Sequence, residues 1–156
     1  MAYEFQTTRR VEFADTDCAG IVHFATFFRY LEEAEHAFLR SLGLSVRAPT
    51  AEGERTVIGF PRLSARCQYT RPARFEDELD VHIWVSRKKS RTLEFSAVVT
   101  RAGEEVARGQ VAVIACRVRE GHSIEPIELP LAFDRALEEA PYPALEFFPE
   151  RGGGPS

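Results

Sequence analysis

The sequence is short of the features that would make it secreted, membrane-bound or metal-organised. Its three cysteines, Cys18, Cys67 and Cys116, lie far apart and form no CxxC pair, which removes the case for a disulfide framework or a cysteine zinc site. They read as reduced thiols, with Cys67 and Cys116 as small buried residues. No run approaches the roughly 20 apolar residues of a membrane span. The opening MAYEFQTTRRVEF alternates and carries charge where a signal peptide would be continuously apolar. A soluble, cytoplasmic protein is the expectation. Neither sign of charge dominates: 20 Lys and Arg against 24 Asp and Glu leave a net charge of -4, with no general attraction for nucleic acid. No Ser/Gly/Pro-rich interior stretch divides the chain, and no internal repeat is evident.

What is present suffices for a core. The 156 residues are 44% hydrophobic, with 12 Phe, which excludes disorder and fits one domain. We assign that domain to residues 1–149 and read residues 150–156, with the closing RGGGPS, as a frayed tail.

From Tyr3 to Phe13, apolar Tyr3, Phe5, Val11 and Phe13 oppose polar Glu4, Gln6, Thr8, Arg10 and Glu12, the period of a strand with one wet face. Between Phe24 and Leu42, the residues Phe27, Leu31, Ala34, Phe38 and Leu42 recur at spacings of three and four, which is helical. Gly43 stands where a helix C-cap belongs. Further apolar residues, Phe28, Tyr30, Ala37 and Leu39, widen the stripe until the helix needs a sheet around it. Four strands follow: Val57 to Tyr69, Leu79 to Arg87, Thr92 to Arg101 and Val106 to Val118. Within the second, Leu79, Val81, Ile83 and Val85 alternate with Asp80, His82, Trp84 and Ser86. The turns are supplied by Arg87 to Arg91 and by Ala102-Gly103. Pro126 and Pro130 lead into a short helix over Leu131 to Ala140. Strand, helix and then four strands make an α+β protein, a long central helix wrapped by a curved antiparallel sheet of about five strands.

The sharpest local feature is FADTDCAGIVHF, residues 13–24, which leaves the first strand and enters the long helix. Two carboxylates and a glycine at a strand-to-helix connection lie beside the unpaired N–H groups of the helix start, where anionic oxygen is well received. Asp, Thr and Gly also make ordinary turns. Arg87, Lys88, Lys89 and Arg91 form a cation cluster within five residues, either a solvated turn or an anion site.

The segment VEFADTDCAGIVHFATFFRYLEEAEHAFLRSLGL resembles the opening of the 4-hydroxybenzoyl-CoA thioesterase family and the related Tol-Pal-associated acyl-CoA thioesterases. Their D-x-D-x-x-G-x-V signature, followed by a helix with a central acid, is matched by Asp15, Asp17, Gly20, Val22 and Glu32. QYTRPARFEDELDV and EPIELP are similar to later family segments, so the likeness spans roughly residues 5–131. It implies the hot-dog fold and hydrolysis of a short-chain or aromatic acyl-CoA to free acid and coenzyme A. It makes Asp17 the nucleophile or general base, the Phe24 backbone amide the oxyanion donor, and Asp15 a structural hydrogen-bonding acid. Gly20, His23 and Glu32 become supporting or substrate-contacting residues, and Arg87, Lys88, Lys89 and Arg91 phosphate contacts. No cofactor or metal is implied, since coenzyme A is part of the substrate. A homodimer or homotetramer is expected, because one sheet around one helix leaves a strand edge exposed. The motif here ends His23-Phe24 where the two groups have Tyr-His or Trp-Tyr, and Thr26-Phe27 replace a frequent Asn-Tyr. His23 therefore does not inherit the family histidine's role.

The chemistry needs little else. A free aspartate is ionised at neutral pH and can attack, or activate water, without a histidine. A thiolate leaves far more readily than an alkoxide, so no strong general acid is required. Abundant Phe near the helix start (Phe24, Phe27, Phe28) suits an acyl or aryl pocket or simply the core. Glu32, with Glu33 and Glu35, is either a second acid of the site or part of a solvated face. Rival readings are a hot-dog dehydratase, a non-catalytic acyl-CoA-binding or assembly protein on the same fold, and a magnesium phosphatase using Asp15 and Asp17.

Overall fold

A computed structural model describes residues 1–50, 53–119, 121 and 124–150. The expected tail beyond residue 150 lies outside the described residues. The elements are β1 (Glu4–Arg10), α1 (Thr26–Ser41), β2 (Ala48–Thr50), β3 (Gly53–Gly59), β4 (Arg62–Tyr69), β5 (Glu78–Lys88), β6 (Thr92–Arg101), β7 (Glu104–Ile114), β8 (Cys116–Arg119), β9 (Glu125–Pro126) and α2 (Leu131–Ala136). Strands β1-β5-β6-β7-β4 make a five-stranded sheet, antiparallel throughout. The expected α+β architecture is present, with α1 as its central helix.

The widened stripe of α1 does what its composition requires. Phe27, Tyr30, Leu31, Ala34, Phe38 and Leu39 are buried with Val81, Ile83, Phe95, Val99 and Val111 from the sheet. Phe5 of β1 stacks on Phe38 with ring centroids 5.8 Å apart. The helix comes so close to β7 that a Cβ on Gly109 would lie 2.4 Å from Leu31 Cδ2 and 3.2 Å from the Arg66 carbonyl. At its C-terminus Gly43 adopts φ +72°. Its amide donates to the Arg40 carbonyl and that of Leu44 to Leu39, the paired bonds of a Schellman cap.

Two expected strands are each broken in two, and one piece of each, β3 and β8, joins β2 and β9 in a second sheet, β2-β3-β8-β9. Val57 to Tyr69 parts at Phe60-Pro61, where proline has no N–H for a ladder. Val106 to Val118 parts at Ala115, whose amide donates to Arg91 and whose carbonyl accepts from Ile127. The last helix ends at Ala136 instead of Ala140. Leu137 is already extended, and the Glu138 and Ala140 amides donate to the Ala2 and Val85 carbonyls. The following segment crosses the outer face of the sheet, so Trp84, on the side away from α1, is only 6% exposed beneath Tyr142. Among the described residues no helix is long and apolar enough to cross a membrane.

Candidate active site

Beyond β1 the chain is tied down before it reaches α1. Val11 exchanges backbone hydrogen bonds with the segment before β5, its amide donating to Asp77 and its carbonyl accepting from Glu76. A single 3-10 turn over Phe13–Asp15 follows. Thr16 then pairs with Val22 in an isolated antiparallel bridge, and the intervening loop closes on itself. The Asp17 amide donates to Ile21 O at 2.9 Å, and the Gly20 amide to Asp17 O at 2.9 Å. Gly20 sits at φ +76°, a left-handed conformation that glycine adopts without Cβ strain.

Asp15 and Asp17 have different surroundings. The Asp15 carboxylate is 1% exposed. It accepts from the Tyr30 hydroxyl at 2.8 Å, the Glu12 amide at 2.9 Å, Arg9 at 3.4 Å and the Arg29 guanidinium. Burial and the Asp15 carboxylate push the Tyr30 hydroxyl well above the usual phenol range, so it remains a donor. The Asp15 carbonyl also accepts from the His23 amide at 2.9 Å, which joins the turn to the entrance of α1. With its oxygens engaged by these donors, Asp15 does not share an ion with Asp17 as a phosphatase dyad would. Asp17 is half-buried and faces a cleft; Oδ1 accepts from the Ala19 amide at 2.8 Å.

The helix entrance supplies donors of which most are already committed. The Val22 amide donates to Ala73, His23 to Asp15 and Thr26 to His23. The Ala25 amide donates to the His23 imidazole Nδ1 at 3.1 Å. Among the described residues the Phe24 amide has no such acceptor. His23 itself is exposed, its ring stacked on Phe24 at 4.5 Å. With Nδ1 accepting, it serves the helix start.

Asp17, Ile21, Val22, Phe24 and Phe27 form one wall of a cleft of about 460 Å3, and Tyr69, Thr70, Arg71, Pro72 and Ala73 form the other. Sequence reasoning missed this second wall as a site. Its signal was QYTRPAR, part of the stretch whose likeness to a later family segment assigns no residue of it to the site. Tyr69 places its ring 5.4 Å from Phe27 and donates to the Phe24 carbonyl at 2.9 Å. Phe28 is not in this cleft. It lines a separate hollow with Arg29, Glu32 and Arg62.

Glu32 is in that hollow too, paired with Arg62 at 3.1 Å. The acidic face of α1 is not uniformly solvated: Glu33 pairs with Arg9, but Glu35 is 2% exposed and ion-paired to Arg62. Burial raises the Glu35 carboxyl above the ordinary range, opposed by the Arg62 guanidinium. The cation cluster lies at the β5–β6 turn, the far end of an 11-residue strand from the Asp17 loop, roughly 30 Å away at a strand's rise per residue. Lys88 is committed to α2, donating to the Asp134 and Leu137 carbonyls and pairing with the Asp134 carboxylate. Arg91 pairs with Glu128. One chain thus brings Asp17, Gly20 and Phe24 together, and leaves Glu32 and the four cations elsewhere.

Residues 11–138 match the model of the thioesterase-like superfamily. An Aquifex aeolicus protein provisionally named an esterase is 35% identical, over 72% of this chain and 84% of its own. The 4-hydroxybenzoyl-CoA thioesterase of Pseudomonas sp. strain CBS-3 is 29% identical over 83% of this chain and 94% of its own. The crystal structure of a 1,4-dihydroxy-2-naphthoyl-CoA thioesterase from Synechocystis superposes with a TM-score of 0.75 at 25% identity, covering 86% of this chain and 95% of that one. The chain therefore belongs to the thioesterase-like superfamily and carries its hot-dog fold.

Proposed function

We propose that this thioesterase hydrolyses an aromatic acyl-CoA, with Asp17 attacking the thioester carbonyl directly or through a water molecule that it deprotonates. The observation that carries the reading is that Asp17 and the uncommitted Phe24 amide border one apolar cleft. The thioester carbonyl seats toward that amide, which accepts the negative charge developing on oxygen; such a donor is typically worth about 2.7–4 kcal/mol. Collapse of the tetrahedral intermediate breaks the C–S bond and releases coenzyme A as thiolate, which takes a proton from solvent on the direct route or the proton that Asp17 removed from water on the other. On the direct route water then cleaves the acyl-aspartyl anhydride, releasing the acid and restoring Asp17.

Phe24, Phe27 and Tyr69 around the cleft favour a flat acyl group, in keeping with the hydroxylated aromatic thioesters named for two of the relatives. For the nucleotide, Arg71 is the cation among the residues that line the cleft. Arg87, Lys88, Lys89 and Arg91 would meet only a substrate held on another subunit. Self-association is supported by β4, an edge strand that leaves Leu63 58% exposed. Sedimentation as a monomer at micromolar concentration would remove that part of the reading.

The test is thiol release from 4-hydroxybenzoyl-, 1,4-dihydroxy-2-naphthoyl- and straight-chain acyl-CoAs by native protein and Asp17→Asn. We expect aromatic thioesters to lead in kcat/KM by about 10-fold and the variant to lose about 100-fold or more in kcat. An equally active variant would discard Asp17. Binding without thiol release by native protein would favour a non-catalytic acyl-CoA-binding protein.

A further inference from the structure

Phe24 is the residue just before the N-cap of α1, Ala25, so no intrahelical bond calls on its carbonyl. In the first turn of α1 the Phe28 amide donates to the Ala25 carbonyl at 3.2 Å, which leaves the Phe24 carbonyl to find a partner outside the helix. The carbonyl left over is taken by the Tyr69 hydroxyl at 2.9 Å, across from the end of β4. On the other side of the same residue, the His23 amide is held by the Asp15 carbonyl at 2.9 Å. The Phe24 N–H shares its peptide plane with the His23 carbonyl, which accepts from the Thr26 amide at 2.9 Å, and the Asp15 and Tyr69 bonds hold the peptide groups on either side of that plane. We propose that Tyr69 is a positioning residue for the reaction: its hydroxyl pins the Phe24 carbonyl so that the neighbouring amide points at the developing oxyanion.

Other observations agree. Burial, with Cys67 beside the hydroxyl, pushes the Tyr69 phenol up to about 12, so it remains a donor across the pH range in which a carboxylate would be active. The Tyr69 ring also lies against Phe27, so packing already limits its orientation and one hydroxyl suffices for the bond. Oxyanion donors matter through small distances and angles, and a misplacement of about 1 Å can cost about 100-fold. Tyr69 acts through Phe24 in this account and gives no proton to the substrate.

The inference rests on the Phe24 amide being the oxyanion donor, and the experiment separates the two. Tyr69→Phe keeps the ring and removes only the hydroxyl. We expect kcat to fall between about 5- and about 50-fold with KM within about 2-fold, less than for a lost donor. The melting temperature should hold, and in protein labelled with 15N-phenylalanine the Phe24 amide resonance should move and exchange faster with solvent. An unchanged kcat, with or without a moved resonance, overturns the positioning role. So does a rise in KM at constant kcat, which would make Tyr69 a wall of the acyl pocket. A lowered kcat with an unmoved Phe24 resonance overturns the route through that amide. Native protein that releases no thiol from any thioester defeats the proposed reaction, and the role of Tyr69 falls with it.

Discussion

The Tyr30 hydroxyl donates to Asp15 Oδ2 at 2.8 Å, so the first acid of the motif is anchored to the buried face of α1 while Asp17, two residues on, borders the cleft. Consecutive carboxylates of one short motif therefore answer to different physics. Asp15 is held by hydrogen bonds in a site that excludes water, and Asp17 keeps a face open to a substrate.

That division predicts opposite effects of mutation. Asp15→Ala leaves the buried Tyr30 hydroxyl and the Glu12 amide without their acceptor, at a cost of about 2–4 kcal/mol. In a chain of this size that corresponds to a loss of about 6–12 °C in Tm. Asp17→Asn should change stability by less than about 0.5 kcal/mol while removing activity. Thermal melts beside thiol-release assays check both, and an Asp15→Ala protein that melts like native would discard the anchoring account.

Gly109 sets how closely α1 approaches the sheet. Gly109→Ala forces Leu31 or the backbone to move, since the added carbon would stand 2.4 Å from Leu31 Cδ2; we expect about 1–3 kcal/mol of destabilisation by chemical denaturation. In a Leu31→Ala background the same substitution should cost less, because only the 3.2 Å approach to the Arg66 carbonyl remains. Costs that simply add would mean the two residues do not meet.

Glu35 and Arg62 predict a pH dependence. The folded-state pKa of Glu35 is raised by burial, so native protein binds its proton more tightly than unfolded chain. Its contribution is greatest at low pH and is lost as pH rises from the unfolded pKa through the folded one. Arg62 offsets that loss by pairing with the carboxylate. Arg62→Met should therefore cost about 2–3 kcal/mol at pH 7.5, moderated because the guanidinium is partly exposed, and the deficit should shrink toward pH 5. A deficit independent of pH would show that Arg62 stabilises by packing alone.

The thiols differ in reach. Cys18 is exposed, Cys67 partly buried and Cys116 buried; burial pushes the Cys67 thiol up to about 11. Iodoacetamide at pH 7.5 should label Cys18 at least about 10-fold faster than Cys67 or Cys116 in native protein, and all three alike in denaturant. Mass spectrometry of a time course gives the order.

Much of this molecule was legible as pattern. The spacing of Phe27, Leu31, Ala34 and Phe38 named the buried face of α1, the alternation of Leu79 to Val85 named that of β5, and Gly43 named the helix end. These are consequences of period and of backbone sterics, which neighbours in sequence carry by themselves. FADTDCAGIVHF likewise identified a loop poised between strand and helix, since that loop closes on its own residues.

Other features depend on partners distant in sequence. Glu35 shares a helix row with Leu31 and Leu39, but its counter-charge appears only when Arg62 arrives from β4, and Lys88 looks like any basic turn residue until α2 docks beside it. Trp84 stands on the expected wet face of its strand and is buried because the segment after α2 returns across it. Tyr69 meets the Phe24 carbonyl 45 residues away. The sequence by itself determined the helix, most of the strands and the loop bearing Asp17, because local periodicity and turn chemistry are short-range. Tertiary structure alone decided which charges are buried, which cations are already paired and what forms the second wall of the cleft, because burial and hydrogen bonding depend on which chain segments meet in space.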